Sequence, residues 1–251
     1  MRLNKFFKTM GPIAAIAAAA ALGGCNNVDL GVNGMKGVPL DELDLSGGAP
    51  EEVALMGPDH VSIVNGESFN VTVEGDSEVA SHLRFALKDG TLGIMRDELN
   101  FGSDSIATVK VTMPAPRSLT VAGSGRMTSE RLSGDAEVTI AGSGWLETPN
   151  VSAESLEVTI AGSGNYKAAG TVKSLELSVA GSGTADMAGL KVDNAELNIA
   201  GSGDAIFASD GNVEASIMGS GDVTVRGSAR CEVNAVGSGR LTCEPAANPA
   251  E

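Results

Sequence analysis

Seven copies of Gly-Ser-Gly carry the residue types a nucleophilic serine or a phosphate-cradling loop would need. They are Gly123-Ser124-Gly125, Gly142-Ser143-Gly144, Gly162-Ser163-Gly164, Gly181-Ser182-Gly183, Gly201-Ser202-Gly203, Gly219-Ser220-Gly221 and Gly237-Ser238-Gly239. A nucleophile elbow requires Gly-x-Ser-x-Gly on a strand-to-helix turn, and one active site uses one copy, not seven. No copy completes Gly-x-Gly-x-x-Gly, and no helix follows to receive a pyrophosphate. The chemistry open to these residues is therefore that of the backbone.

Other reactive groups are few. Cys231 and Cys243 lie six residues before and six after Gly237, flanking the last Gly-Ser-Gly, where a disulfide would staple the end of the chain's ordered part and contribute about 3 kcal/mol. The histidines, His60 and His82, lie far upstream, so the sequence assembles no metal set around these cysteines and calls for no cofactor. Trp145 and Tyr166 are the chain's single Trp and Tyr. Offset by one position in neighbouring repeats, they are expected to point to opposite sides, and Trp145 is the candidate binding contact. Pairs of Asp and Glu are too abundant in an acidic chain to mark a catalytic dyad. No catalytic residue is assigned.

What positions these groups is a repeat. Successive first glycines lie 19, 20, 19, 20, 18 and 18 residues apart, too short for paired helices and suited to one β-solenoid coil. Alternating segments precede six of the seven copies, as in Leu156-Glu157-Val158-Thr159-Ile160-Ala161. A period of two places Val138, Val158, Leu177, Leu197 and Val233 on the inner face with Ile140, Ile160, Val179, Ile199 and Ile217. None of these strands has a partner nearby in sequence, so each is expected to pair in parallel with its counterpart one repeat away, about 4.8 Å along the axis. The glycines become corner residues, needed for positive φ and close backbone approach, with serines able to bond along the stack. A second strand follows each corner. Apolar Met127, Leu146, Tyr166, Ala185, Ala205, Val223 and Leu241 share one equivalent position on this less constrained strand, while its outward positions, Arg126, Trp145, Asn165, Asp204, Asp222 and Arg240 among them, are where the repeats differ most.

Glu137, Glu157, Glu176, Glu196, Glu214 and Glu232 fall at one repeat position, and a carboxylate column is expected from them. At one-coil spacing in water two such charges repel by only about 1 kcal/mol. A solvated face accounts for the column, with cation or polymer binding as the sharper alternative.

The expected organisation is a leader over 1–24, a tether over 25–48, a β-rich head over 49–116, the solenoid over 117–245 and a disordered tail over 246–251. The leader carries basic Arg2, Lys5 and Lys8 and an apolar run from Gly11 to Leu22, the pattern of an export signal. It ends in Leu22-Gly23-Gly24-Cys25, which resembles the lipobox of bacterial lipoproteins; that resemblance makes Cys25 the lipid-bearing first residue and the membrane a partner through it. The full chain holds 17 basic and 32 acidic residues, net −15, and without the leader 14 basic against 32 acidic leave −18. Nucleic acid is excluded as a partner for such a field.

In the head, His60–Val64, Phe69–Glu74, Leu83–Leu87, Thr91–Met95 and Ala107–Met113 read as strands, and Asp89-Gly90 as a hairpin turn. Val61-Ser62-Ile63, Phe69-Asn70-Val71-Thr72-Val73-Glu74-Gly75, Asp89-Gly90-Thr91-Leu92-Gly93-Ile94 and Val109-Lys110-Val111-Thr112-Met113-Pro114, followed by the Ala-Gly-Ser-Gly repeats, resemble the putative auto-transporter adhesin head GIN domain over about residues 53–245. The resemblance implies an all-β, right-handed parallel β-helix of about seven coils at the bacterial cell envelope and no catalytic residues. No membrane-barrel segment is read after Cys243, so attachment falls to the lipid, most naturally at the outer membrane. Two functions follow as expectations: a non-catalytic, lipid-anchored adhesion, scaffold or interaction protein for an envelope protein or glycan, or a polysaccharide lyase or hydrolase on the same fold.

Overall fold

The structure, a computed structural model, describes residues 37–97 and 106–244. Cys25, the leader and residues 245–251 lie outside them.

The head opens with β1 (Glu52–Met56), β2 (His60–Asn65) and β3 (Asn70–Glu74), then the short helix α1 (Ser77–Ser81), β4 (Leu83–Lys88), β5 (Thr91–Arg96) and β6 (Thr108–Met113). The repeats supply β7 (Ser118–Gly123), β8 (Arg126–Ser129), β9 (Leu132–Gly142), β10 (Trp145–Gly162), β11 (Asn165–Gly181), β12 (Thr184–Gly201), β13 (Asp204–Gly219), β14 (Asp222–Arg226), β15 (Arg230–Gly237) and β16 (Arg240–Glu244). From β7 onward all pairing is parallel, between equivalent residues of neighbouring repeats: Val138 pairs Val158, Val158 pairs Leu177 and Leu177 pairs Leu197. The chain is a β-solenoid of about seven turns, as the repeat requires.

Columns of like residues fill its interior. Val138, Val158, Leu177, Leu197, Ile140, Ile160 and Ile217 are fully buried, and so are Met127, Leu146, Tyr166, Ala185 and Val223 on the second strand. Burying each large aliphatic side chain stabilises by roughly 1.5–3 kcal/mol relative to exposure. A third short segment is present that the alternation did not reveal: Leu132, Val151, Leu190 and Val192 face inward on it, set off by register shifts such as Thr148/Val151 and Ala153/Ser155. Its side is too short for a period of two to show.

The corners divide the work between their two glycines. First glycines have φ between +116° and +133°, and a Cβ on Gly142 would sit 2.6 Å from the Gly123 carbonyl oxygen. Second glycines point inward instead; a Cβ on Gly144 would lie 2.5 Å from Val121 Cγ1. Between them the serine backbone carries the ladder around the bend: the Ser143 N–H donates to Gly123 O at 2.9 Å and that of Ser182 to Gly162 O at 2.8 Å. The bonds along the stack come from serine main chain, and the corner hydroxyls face solvent.

The head is not a separate body under the solenoid. β1 pairs β7 on one side and β5 on the other, and β2 pairs β8 and β6, all in parallel. The coil β1–β2 is thus held between the later coil β5–β6 and the first repeat. Antiparallel β3 and β4 then end the stack. The β4–β5 connection is the expected hairpin, with Asp89 at φ 50° and Gly90 at φ 79°, as a two-residue turn of this type demands. The far part of the segment read as tether is docked: Val38 and Phe85 exchange two backbone bonds, and Leu40, Leu43 and Leu45 pack on the core.

Candidate interaction surfaces

Two long outer faces are built by the strands on either side of the corners. On the first, the six glutamates align as expected, Glu137 against Glu157, then Glu176, Glu196, Glu214 and Glu232. Beside them runs a second column, Asp135, Ser155, Ser174, Asn194, Asn212 and Arg230. Its members bond along the axis: the Ser155 hydroxyl donates to Asp135 at 2.9 Å and the Asn212 amide to Asn194 at 3.2 Å. Towards the far end these columns line a shallow depression of about 570 Å³, bordered by Asn194, Glu196, Asn212, Glu214, Arg230 and Glu232.

The ladder is not electrostatically uniform. Glu137 and Glu157, nearest the head, are half-buried, and burial is the larger cause pushing both carboxyls above their ordinary range, neighbouring carboxylates (Glu52 for Glu137; Glu137 and Glu176 for Glu157) adding to it. Elsewhere the outer rows are neutralised between coils. Lys173 holds Glu154 at 2.6 Å, and Lys191 approaches Asp210 at 3.1 Å. The Ser228 N–H and hydroxyl and the Lys191 ammonium bring Asp210 down to about 2.

The second face holds the column His60, Arg126, Trp145, Asn165, Thr184, Asp204, Asp222 and Arg240. Trp145 is partly exposed and carries the Arg126 guanidinium 4.2 Å from its ring centre, an arrangement worth about 0.5–1 kcal/mol at such a site. Tyr166 turns inward, as the one-position offset implies; it is fully buried, its hydroxyl 2.6 Å from that of Thr148. Burial pushes its phenol well above the ordinary value. The structure therefore separates the two aromatics and leaves Trp145 as the flat apolar group on this face.

Cys231 and Cys243 are joined as a disulfide. They extend the inward columns of Val213 and Val225, so the bond crosses the mouth of the last coil.

A feature that periodicity did not reveal lies at the head. Gly57-Pro58-Asp59 stacks on Gly123-Ser124-Gly125, which puts Asp59 where later coils have an inward glycine. Asp59 is fully buried and accepts from Arg96 Nε at 2.7 Å, Arg96 Nη2 at 2.5 Å and the Ala107 N–H at 2.9 Å. Hydrogen bonding to this carboxylate raises the Arg96 pKa further. Among the described residues no group of three or more His, Cys, Asp and Glu converges to hold a metal ion.

Solved structures share this architecture. A protein described as a putative adhesin from Bacteroides fragilis superposes with a TM-score of 0.67 at 19% identity, covering 78% of this chain and 92% of its own. One described as a putative lipid binding protein from Parabacteroides distasonis gives 0.60 at 22% identity over 78% and 93%, and a putative adhesin from the same species gives 0.60 at 19% over 79% and 93%. At these identities the likeness establishes the fold alone. No curated protein matches the chain. The family model described as putative auto-transporter adhesin, head GIN domain, matches residues 49–229, taking in the head and all but the disulfide-bonded last coil. The chain therefore belongs to the auto-transporter adhesin head GIN domain family.

Proposed function

We propose that this protein is a non-catalytic adhesion or scaffold protein of the bacterial cell envelope, held to the outer membrane by lipid on Cys25 and engaging an envelope glycan or protein through its long faces. One observation carries the reading: outward Ser, Asn, Glu and Arg side chains stand in unbroken registered columns along the solenoid. Side chains repeating at about 4.8 Å suit a ligand that is itself repetitive. The Leu-Gly-Gly-Cys box supports the anchor, and the partly exposed indole of Trp145, with Arg126 over its ring, supplies an aromatic and cationic contact for a sugar.

The anchor is tested by acyl labelling and membrane fractionation of cells expressing the full chain; Cys25→Ser should lose the label and leave the membrane fraction. The ligand class is tested by applying the purified chain to a polysaccharide panel and following both retention and cleavage. Retention without turnover, weakened by Trp145→Ala, is expected. Turnover would instead establish the lyase or hydrolase alternative.

A further inference from the structure

We infer that the C-terminal end of the solenoid is a self-association surface, pairing with the same end of a second copy of this chain. Among the described residues β15 pairs only β13, and β16 pairs only β14, so each offers an outer edge with unsatisfied backbone groups. Such an edge is a template for another strand. At the opposite end Val38 meets the outer edge of β4 at Phe85, while β3 pairs only β6 among the described residues; what sets the C-terminal end apart is the character of its side chains.

Apolar exposure gathers at this same end. Among the described residues the exposed large hydrophobics are Ile106, Met218, Val233 and Val236, and three of the four belong to the last two coils. Met218 and Val236 are registered neighbours, 63% and 74% exposed, and they end an outward column that is Ala122, Ala141, Ala161, Ala180 and Ala200 in the coils before. The strand alternation accounts for Val233, which points inward on a coil beyond which none of the described residues stacks. It does not require Met218 or Val236 to be apolar.

Charge selects the occupant. Over residues 222–244 three basic residues, Arg226, Arg230 and Arg240, balance three acidic ones, Asp222, Glu232 and Glu244, in a chain whose net charge is −15. Two copies would repel through most of their surfaces and meet without net repulsion here: Arg240 pairs with Asp222 at 3.5 Å within each chain, and Arg226 and Arg230 are the guanidinium groups brought to the other's Glu232 and Glu244. The eight residues of β15 run about 26 Å along this edge, long enough for continuous strand pairing with the same edge of a second copy. Pairing like ends uses up the surface on both copies and stops at a dimer. The Cys231–Cys243 disulfide holds the strands in place for it. An adhesive use, in which two anchored chains meet tip to tip, rests on the function proposed above; the pairing itself does not.

The test mixes two differently tagged, separately purified full chains and measures co-capture against concentration, with Val236→Lys and Met218→Lys each placed on both partners. Wild type should co-capture, and each variant should weaken association at least tenfold while leaving the circular dichroism spectrum and Tm unchanged. Association that both variants leave intact would overturn the inference, since shared detergent or another surface would explain it. Absence of co-capture at all concentrations would also overturn it.

Discussion

Asp59 and Arg96 form a buried bidentate ion pair at the corner where the glycine pattern stops, with Asp59 occupying the position that Gly125 holds one coil later. An inward glycine is required when the β-branched side chain of the coil below fills the bend. Here the bend instead receives a carboxylate, and Arg96 reaches it from the outermost coil. Removing Asp59 would leave a guanidinium whose side chain is 8% exposed without its carboxylate. Asp59→Ala is expected to cost about 3–5 kcal/mol, read as a lower denaturation midpoint. The double variant Asp59→Ala with Arg96→Met should recover part of the loss.

The two glycines of a corner should fail differently. Gly142→Ala forces a side chain to φ +116° against a stacked carbonyl, and a cost of about 2–4 kcal/mol is expected by analogy with other strained or overpacked sites. A Cβ on Gly144 meets the Val121 methyl at 2.5 Å first and the Gly125 carbonyl oxygen at 3.0 Å, so pairing Gly144→Ala with Val121→Ala should recover part of the loss where the same pairing with Gly142→Ala does not. Thermal melts of the four proteins distinguish the cases.

Reduction of the Cys231–Cys243 bond should act locally. The twelve-residue separation corresponds to about 3 kcal/mol of loop-closure entropy, and it constrains only the terminal coil. Hydrogen exchange after reduction, or in Cys231→Ser, should accelerate in β15 and β16 while β10 to β12 keep their protection. Uniform acceleration would mean that the whole solenoid unfolds as one unit.

Acidity should stabilise the fold before it harms it. Glu137 and Glu157 have raised folded-state pKa values, so the stability they withhold at neutral pH returns as they protonate on descending towards pH 4.5. Asp210, held at about 2, works in the opposite sense: its contribution is complete above its ordinary value and is lost as pH falls below about 4. A Tm that rises from pH 7 to about 5 and falls again below 4 is expected. Glu157→Gln should flatten the first limb.

The buried Tyr166–Thr148 hydroxyl pair gives a fifth test. Tyr166→Phe leaves Thr148 Oγ1 in the core without its 2.6 Å partner, at a cost of about 1–3 kcal/mol. Combining it with Thr148→Val should return most of that difference.

Much of the fold was legible because stacking copies each residue onto its counterpart. Alternation in Leu156–Ala161 fixed both the inward set and the glutamate column, and the symmetry of Cys231 and Cys243 about Gly237 marked the disulfide. The short third side escaped because Leu132 and Val151 are too few per coil to show a period. Asp59 and Arg96 escaped because they break the repeat, lie 37 residues apart and meet only through the non-sequential placement of the coil β5–β6. The outer columns, with Met218 and Val236 among them, could be aligned from sequence, but the exposure of the inward-facing Val233 depends on where stacking stops.

That placement also governs the order in which the chain can assemble. Each repeat closes on its predecessor across 18 to 20 residues, whereas Glu52 must find Ser118 across 66 residues, after the whole of β2 to β6 has been made. The longer closure costs only about 1 kcal/mol more, yet it cannot begin until the first repeat exists. The central coils are free to nucleate on one another, and the N-terminal segments, although synthesised first, are completed by docking onto a stack that is already under way.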